Sequence, residues 1–281
     1  MRKVRWGAAA AGIGAAMLAA GAAQADPSVE FKDAAVRVVV IPEARSDVKV
    51  EVIKTNPRLP IQVRVEGDRT VVDGGLGWER VRGCRGSGGR LSVSIRGVGD
   101  VPYEDLPQVV VRTPMTADVG AGGAVFGSVG RSDALELHSA GCGDWTLGNV
   151  RGRLRVSQAG SGDTQAGSAG EVDLRVAGSG DISVREVSGP VNVNIAGSGD
   201  VAVASASSAA TVSIAGSGDA KIGGHVTDAR VRVAGSGGTW FNGQVDNLDV
   251  SIAGSGDVRV AQLRGALKQS VVGSGEVRIG R

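Results

Sequence analysis

A five-residue phrase, Ala-Gly-Ser-Gly-Asp, recurs through the second half of this chain at nearly fixed intervals. Successive copies lie 19 residues apart, with a single step of 18. A period near 19, with short apolar segments between glycine turns, is typical of a β-solenoid, in which each repeat forms one coil. The first glycines of the copies are Gly141, Gly160, Gly178, Gly197, Gly216, Gly235, Gly254 and Gly273.

Apolar and polar residues alternate on both sides of each glycine turn. In one copy, the residues six, four and two positions before the first glycine are Val191, Val193 and Ile195. A second segment follows the turn and carries Val201 and Val203 at alternate positions. Alternation with a period of two predicts two short strands per coil, each with an apolar inward face. One coil cannot bury these faces alone, so several coils must stack.

The repeat therefore predicts an all-β fold, a right-handed parallel β-helix with about 19 residues per coil and an irregular N-terminal β region. The handedness follows the bias of crossover connections between parallel strands. An aromatic content of only 3% and 46 glycines also suit short stacked strands. Two buried ladders are expected: Val193, Val212, Val231 and Val250, and Ile195, Ile214, Val233 and Ile252.

Three segments are expected along the chain. Residues 1–25 form a signal peptide, residues 26–118 an N-terminal β region that caps the solenoid, and residues 119–281 the solenoid itself. Strand-like runs before the repeats cover residues 36–41, 48–53, 61–65, 91–95 and 109–111.

The first 25 residues have the pattern of an export signal. Basic residues at the start precede an apolar stretch at residues 7–23, and Ala23-Gln24-Ala25 matches a small-x-small cleavage site before Asp26. The alternative is an uncleaved membrane anchor, for which about 17 weakly apolar residues are marginal. We expect a cleaved signal and export to the periplasm or cell surface of a Gram-negative-like bacterium, with no transmembrane segment afterwards.

Removal of the signal leaves a chain near neutrality. The full chain has 31 Lys and Arg and 29 Asp and Glu, and the signal holds three of the basic residues. The mature chain therefore has 28 basic and 29 acidic residues. Since a nucleic-acid partner requires a basic face, we expect none.

An aspartate follows the second glycine in most copies of the repeat. We call this column the aspartate ladder: Asp144, Asp163, Asp181, Asp200, Asp219 and Asp257. Stacked carboxylates about 4.8 Å apart repel each other, so they need compensating partners. Each carboxylate is expected to cap the N–H groups of its own turn. The alternative is a bound calcium ion, and the glycine-rich calcium repeat has a different period and spacing.

This chain has few of the residues that most enzymes use for catalysis. The chain has only His138 and His225, and no metal-ligand spacing joins either of them to cysteine. His225 stands in an apolar column, which predicts a hydrogen-bonded inward or corner histidine. The repeated turn serines have no general base nearby in sequence. We therefore assign no catalytic, cofactor-binding or metal-binding residues and expect no cofactor.

The two cysteines are predicted to form a disulfide. Cys84 lies in a glycine-rich loop, and Cys142 replaces the turn serine of the other repeats. Export would place the pair where disulfides persist. Two free thiols, or links to another molecule, are the alternatives.

Several of these features resemble one bacterial exported family. They are the signal peptide, the run from Phe31 to Ile53, the segment from Val109 to Pro114, and the repeated Ile/Val-x-Ile-Ala-Gly-Ser-Gly-Asp. The chain resembles the "putative auto-transporter adhesin, head GIN domain" family over most of its mature length. The resemblance implies a right-handed parallel β-helix and, by its name, adhesion. After Gly273 the sequence shows no translocator barrel, terminal aromatic or sorting signal, so auto-transport is not expected.

Two functions of different class remain open. The first is a non-catalytic, adhesin-like or structural protein of the cell envelope that binds a polymer or surface protein along its flat sides. The second is a β-helical carbohydrate-active enzyme of the polysaccharide lyase or hydrolase type. An enzyme needs a local cluster of acids and bases, with aromatic side chains that stack on sugars. The even spread of charges and the scarcity of aromatics favour the binding protein. The ligand and the oligomeric state are not determined by the sequence.

Overall fold

The protein is a parallel β-solenoid of about nine turns, in which strands make up 71% of the chain. The structure is a computed structural model and describes residues 27–77, 79–86 and 91–280. The predicted signal peptide at residues 1–25 lies outside the described residues. Within the described ranges there is no α-helix, and thus none long and apolar enough to cross a membrane.

The strands before the regular coils are β1 (Ser28–Pro42), β2 (Lys49–Lys54), β3 (Gln62–Glu66), β4 (Arg69–Asp73), β5 (Val81–Arg85), β6 (Ser92–Ile95), β7 (Gly99–Pro102) and β8 (Gln108–Thr113). A 3₁₀ turn at Tyr103–Asp105 separates β7 from β8. The coils contain β9 (Thr116–Val129), β10 (Ala134–Gly141), β11 (Trp145–Leu147), β12 (Val150–Gly160), β13 (Thr164–Gly178), β14 (Ile182–Val187), β15 (Val191–Gly197), β16 (Val201–Ala206), β17 (Ala210–Gly216), β18 (Ala220–Gly235), β19 (Thr239–Gly254), β20 (Val258–Leu263), β21 (Leu267–Gly273) and β22 (Val277–Ile279).

Each coil contributes to two parallel sheets. Face A contains β4, β10, β12, β15, β17 and β21, with one half of each long strand β1, β9, β13, β18 and β19. Face B contains β8, β11, β14, β16, β20 and β22, with the other halves of the long strands. Most residues pair with the residue 19 positions further along, as Val193 does with Val212. The predicted solenoid and its repeat length are confirmed.

The core is a continuous apolar stack between the two faces. In the first predicted ladder, Val193, Val212, Val231 and Val250 are all at most 1% exposed. The second ladder of Ile195, Ile214, Val233 and Ile252 is buried to a similar degree. Both ladders confirm the register read from the alternating sequence, because a slip by one residue would turn them outward.

The glycine corner has a steric cause. Gly216 has a φ of +137°, and a Cβ there would lie 2.3 Å from the carbonyl oxygen of Gly197 in the preceding coil. The second glycine of the same turn, Gly218, would meet the carbonyl oxygen of Gly199 at 2.2 Å. Neither position has room for a side chain, and the first also has a backbone conformation that glycine adopts most readily.

The N-terminal strands enter the stack out of chain order. One edge of β1 pairs with β9, while the other pairs with β4 and β8, so β1 lies between strands that follow it in sequence. Beyond them, β3 pairs antiparallel with β4, and β2 antiparallel with β8. This change of strand direction covers the parallel edge at that end of the stack. The predicted division after residue 118 falls within β9 and stays a prediction.

A small insertion packs beside the first coils. Strands β5, β6 and β7 form a separate antiparallel sheet. Val93 of this sheet and Leu106, which follows the 3₁₀ turn, share a second hydrophobic core with side chains of β1 and β9 such as Phe126. A disulfide joins Cys84 of β5 to Cys142 in the first glycine corner, with their Cα atoms 5.7 Å apart. The insertion is thus held against the solenoid by both packing and a covalent bond.

The Val231→Asp variant is expected to lose cooperative folding. The new carboxylate would lie at a position that is 0% exposed, with apolar neighbours in the coils on both sides. The matched control is Arg232→Asp, since Arg232 points outward on the same strand. Urea unfolding followed by circular dichroism should show a cooperative transition for the control alone. An unchanged midpoint for Val231→Asp would contradict the register.

Candidate functional site

The aspartate ladder links neighbouring coils through the backbone. Asp163 donates its N–H to Asp144 Oδ1 at 2.9 Å, and Asp181 donates to Asp163 Oδ1 at the same distance. The pattern continues through Asp200 and Asp219. The sequence predicted that each carboxylate caps its own turn, and that was wrong. Each one caps the turn of the following coil, because stacking brings that N–H within hydrogen-bond distance.

One coil replaces the ladder aspartate by glycine. Gly238 donates its N–H to Asp219 Oδ1 at 2.8 Å but has no carboxylate to offer the next coil. The space is filled by Trp240, since a Cβ on Gly238 would lie 2.3 Å from the Trp240 ring. The amine of Lys221 lies 5.8 Å from the centre of that ring. The exchange replaces one carboxylate by a partly exposed aromatic on face B.

No metal centre is evident among the residues that the structure describes. In these residues, no group of three or more His, Cys, Asp or Glu side chains could hold a metal ion. The ladder carboxylates stand one per coil, and each uses one oxygen for the hydrogen bond to the next turn. Calcium binding along the ladder stays the alternative hypothesis.

A long shallow groove runs across face A. Its volume is about 1000 Å³. One wall is the alanine ladder, formed by the residue before each first glycine: Ala140, Ala159, Ala177, Ala196, Ala215, Ala234 and Ala253. The other wall is the polar ladder, two residues earlier: His138, Ser157, Arg175, Asn194, Ser213, Arg232, Ser251 and Ser270.

The small side chains of the alanine ladder do not arise from tight packing. All seven alanines are exposed on the outer surface, and the corresponding residue of the last coil, Val272, is 72% exposed. Because these positions face outward, packing of the core does not require a small side chain there. The alanines therefore leave the groove open, and this groove was not predicted from the sequence.

Both histidines lie outside the core. His138 contacts Glu136 Oε1 at 2.9 Å. His225 is exposed and contacts Asp246 Oδ2 at 3.0 Å, an interaction that holds the pKa of Asp246 below its ordinary value. The sequence predicted that His225 lies either inward or at a corner, and the inward alternative was wrong. The following residue, Val226, occupies the buried position, because the strand register shifts between Val203 and Ala206.

An acid–base cluster lies beside the N-terminal end of the groove, next to His138. Asp118 and Glu136 are neighbours on adjacent coils, and Glu136 also contacts Arg155 at 3.3 Å. Burial raises the pKa of Asp118 above its ordinary value, and the Glu136 carboxylate raises it further. His138 and Arg69 oppose that shift. The cluster was missed in the sequence because its members come from different coils.

The sequence and the fold both match known proteins. Residues 43–219 and 188–280 match the family described as "putative auto-transporter adhesin, head GIN domain". The chain belongs to this family.

Two solved structures share the fold of this family member. One is described as a putative adhesin from Parabacteroides distasonis ATCC 8503, with 18% identity, 91% of this chain and 93% of that chain covered, and a TM-score of 0.55. Another is a putative adhesin from Parabacteroides merdae ATCC 43184, with 17% identity, coverage of 91% and 92%, and a TM-score of 0.51. At these identities the likeness concerns the fold alone. Among curated proteins, no sequence matches this head GIN domain protein.

Replacing Asp200 tests the aspartate ladder. Asp200→Ala removes the acceptor for the N–H of Asp219 and should lower the free energy of unfolding by about 1 kcal/mol. Asp200→Asn keeps an oxygen acceptor in the same place and should unfold close to the wild type. Urea unfolding of both variants measures the difference. Equal stability of the Ala and Asn variants would show that the hydrogen bond contributes nothing.

Melting temperatures of the wild type and of Asp200→Asn distinguish hydrogen bonding from calcium binding at the ladder. If the ladder is structural, calcium chloride and a chelator should give the same melting temperature. A calcium-dependent rise that is lost in Asp200→Asn would instead assign a cation to the ladder.

Asp118→Asn is expected to raise the melting temperature at neutral pH. The folded protein raises the pKa of Asp118, so ionisation costs stability as the pH rises through that value. Below about pH 3 the carboxyl is protonated in both folded and unfolded chains, and the gain should vanish. Asp68→Asn, at an exposed loop position, is the control. A constant gain at every pH would contradict the raised pKa.

Proposed function

We propose that this protein is a non-catalytic, adhesin-like solenoid of the cell envelope that binds an extended polymer along face A. The groove between the alanine and polar ladders carries the proposal. It crosses eight coils, which corresponds to a length of about 34 Å at about 4.8 Å per coil. The family and the solenoid fold support an adhesin-like role.

The chemistry of the groove suits a repeating ligand. The alanine ladder forms a narrow apolar wall, while the polar ladder places hydroxyl, amide and guanidinium groups at regular intervals along the other wall. A stretched polysaccharide or polypeptide presents apolar and polar groups at similarly regular intervals. Many weak contacts along such a chain add up, and this favours binding of a polymer over binding of its single units.

The proposed location follows from the leader sequence. Residues 1–25 have the charge and cleavage pattern of an export signal. A signal of this kind would deliver the solenoid to the periplasm or cell surface, where polymers and surface proteins are available.

A second candidate function rests on the cluster of Asp118, Glu136 and His138. Two neighbouring carboxylates, one with a raised pKa, are the groups that a glycoside-cleaving enzyme uses as acid and base. Against this, Glu136 is already engaged by His138 and Arg155. The described part of the groove also has no aromatic side chain in its lining. Binding without catalysis is therefore the better-supported function.

Filling the groove should weaken binding. The double variant Ala196→Gln with Ala215→Gln places two longer side chains on the alanine wall, and affinity for the polymer should fall at least about tenfold. The matched control is Ala204→Gln with Ala261→Gln, two exposed alanines on face B. The mature protein is first screened on arrays of glycans and surface proteins, with and without calcium. Equal binding by both double variants would contradict the groove as the binding surface.

The same ligands test the enzyme. If the cluster is catalytic, incubation of a polysaccharide with the protein should release new chain ends, and Asp118→Asn should stop the release. Intact polymer after prolonged incubation with the wild type, over a range of pH, would remove this candidate.

A further inference from the structure

A second concave surface lies on the other side of the molecule, between the β5–β7 insertion and face B. This Arg37 pocket has a volume of about 530 Å³, within the range of ligand sites. Its walls include Arg37, Tyr103, Gln108, Phe126, Asp144 and Thr146. None of these residues belongs to the groove on face A.

The aromatic wall of the pocket is held in one orientation. The rings of Tyr103 and Phe126 meet edge to face, with their centres 5.3 Å apart and their planes at 88°. Tyr103 lies in the 3₁₀ turn that directly follows the insertion, and Phe126 belongs to β9 of the solenoid. The disulfide and the shared core hold these two parts together. The pocket therefore has a formed apolar wall, in a protein with very few aromatic residues.

The cation Arg37 has no anionic partner within the part of the chain that the structure describes. Its guanidinium carbon lies 5.1 Å from the centre of the Tyr103 ring, and its Nη2 donates to Gln108 Oε1 at 3.4 Å. Its Nε is buried and has no hydrogen-bond acceptor among the described residues. Within the same residues no carboxylate lies within 4.0 Å of this guanidinium, whereas many other arginines of the chain are paired. The Arg37 side chain lines the pocket, and a planar guanidinium matches a carboxylate.

The rest of the pocket offers acceptors and hydroxyl groups. Asp144 begins the aspartate ladder and uses Oδ1 for the N–H of Asp163. Its second oxygen can accept a hydrogen bond from a ligand hydroxyl group. Ser128 and Thr146 add hydroxyls along the floor. A ligand that fits all these groups has a carboxylate at one end, several hydroxyls, and a C–H face for the aromatic wall.

We propose that the Arg37 pocket binds a carboxylated sugar unit of an acidic polysaccharide. Arg37 holds the sugar carboxylate, Asp144 and Thr146 hold its hydroxyls, and Tyr103 with Phe126 contacts its C–H face. This proposal rests on the proposed binding function and adds a ligand class to it. The residues of the pocket are separate from those of the groove. Failure of one site therefore leaves the other intact.

Oligogalacturonate is the probe, and the neutral galactose oligomer of equal length is its comparison. Isothermal titration calorimetry with the disulfide-bonded protein should show binding of the acidic oligomer at least about tenfold tighter than of the neutral one. Arg37→Gln should remove that preference, because it keeps a polar side chain without the charge. Arg185→Gln, at an exposed position of β14 outside both the pocket and the groove, is the matched control and should keep the preference.

A second variant, at an exposed edge of the pocket, tests the proposal if Arg37→Gln does not fold. Thr146→Glu places a negative charge at an exposed position of the pocket and should weaken the acidic oligomer at least about tenfold at low salt. Unchanged affinity in a folded Arg37→Gln or in Thr146→Glu would overturn the proposal. So would equal binding of both oligomers, no binding of oligogalacturonate up to about 10 mM, or tighter binding of a free amino acid.

Discussion

The close approach of consecutive coils at the glycine corner is the constraint on which the structure depends. At Gly216 and Gly218 the backbone of the preceding coil occupies the space that a Cβ would need. Only glycine lets both faces stack at strand spacing while the chain turns between them. The period of the sequence is therefore the period of the corner. The aspartate ladder follows from the same contact, since that approach brings each carboxylate to the N–H of the next turn.

Stacking gives inward and outward side chains different roles. Inward side chains form the apolar ladders and tolerate little change, whereas outward side chains do not pack in the core. The outward alanines are therefore informative, because nothing in the core requires them to be small. Where the solenoid could carry bulky polar side chains, it instead keeps an open groove across eight coils. The Arg37 pocket arises differently, at the place where an insertion interrupts the regular outer surface of face B.

The irregular N-terminal strands cover a sheet edge that the regular coils leave unpaired. A parallel stack has unpaired backbone groups at its ends, and such an edge can pair with other chains. At the N-terminal end, the antiparallel strands β2 and β3 cover β8 and β4, and β1 is enclosed between neighbours on both sides. The disulfide from Cys84 to Cys142 ties the insertion to the first corner. This end of the solenoid thus combines edge protection with the formation of a pocket.

The coil, its period, the inward ladders such as Val231 and the aspartate ladder can all be read from the amino-acid sequence, as can the pairing proposed for the two cysteines. All of these depend on local patterns that recur or on the only available pair of residues. The three-dimensional structure was needed to establish which N–H each aspartate caps, that His225 points outward, and that β1 lies between β9 and the strands β4 and β8. It also brought Asp118 beside Glu136 and Arg37 beside Tyr103. These contacts join residues far apart in the chain, and their partners are set by stacking between coils, which no local pattern encodes.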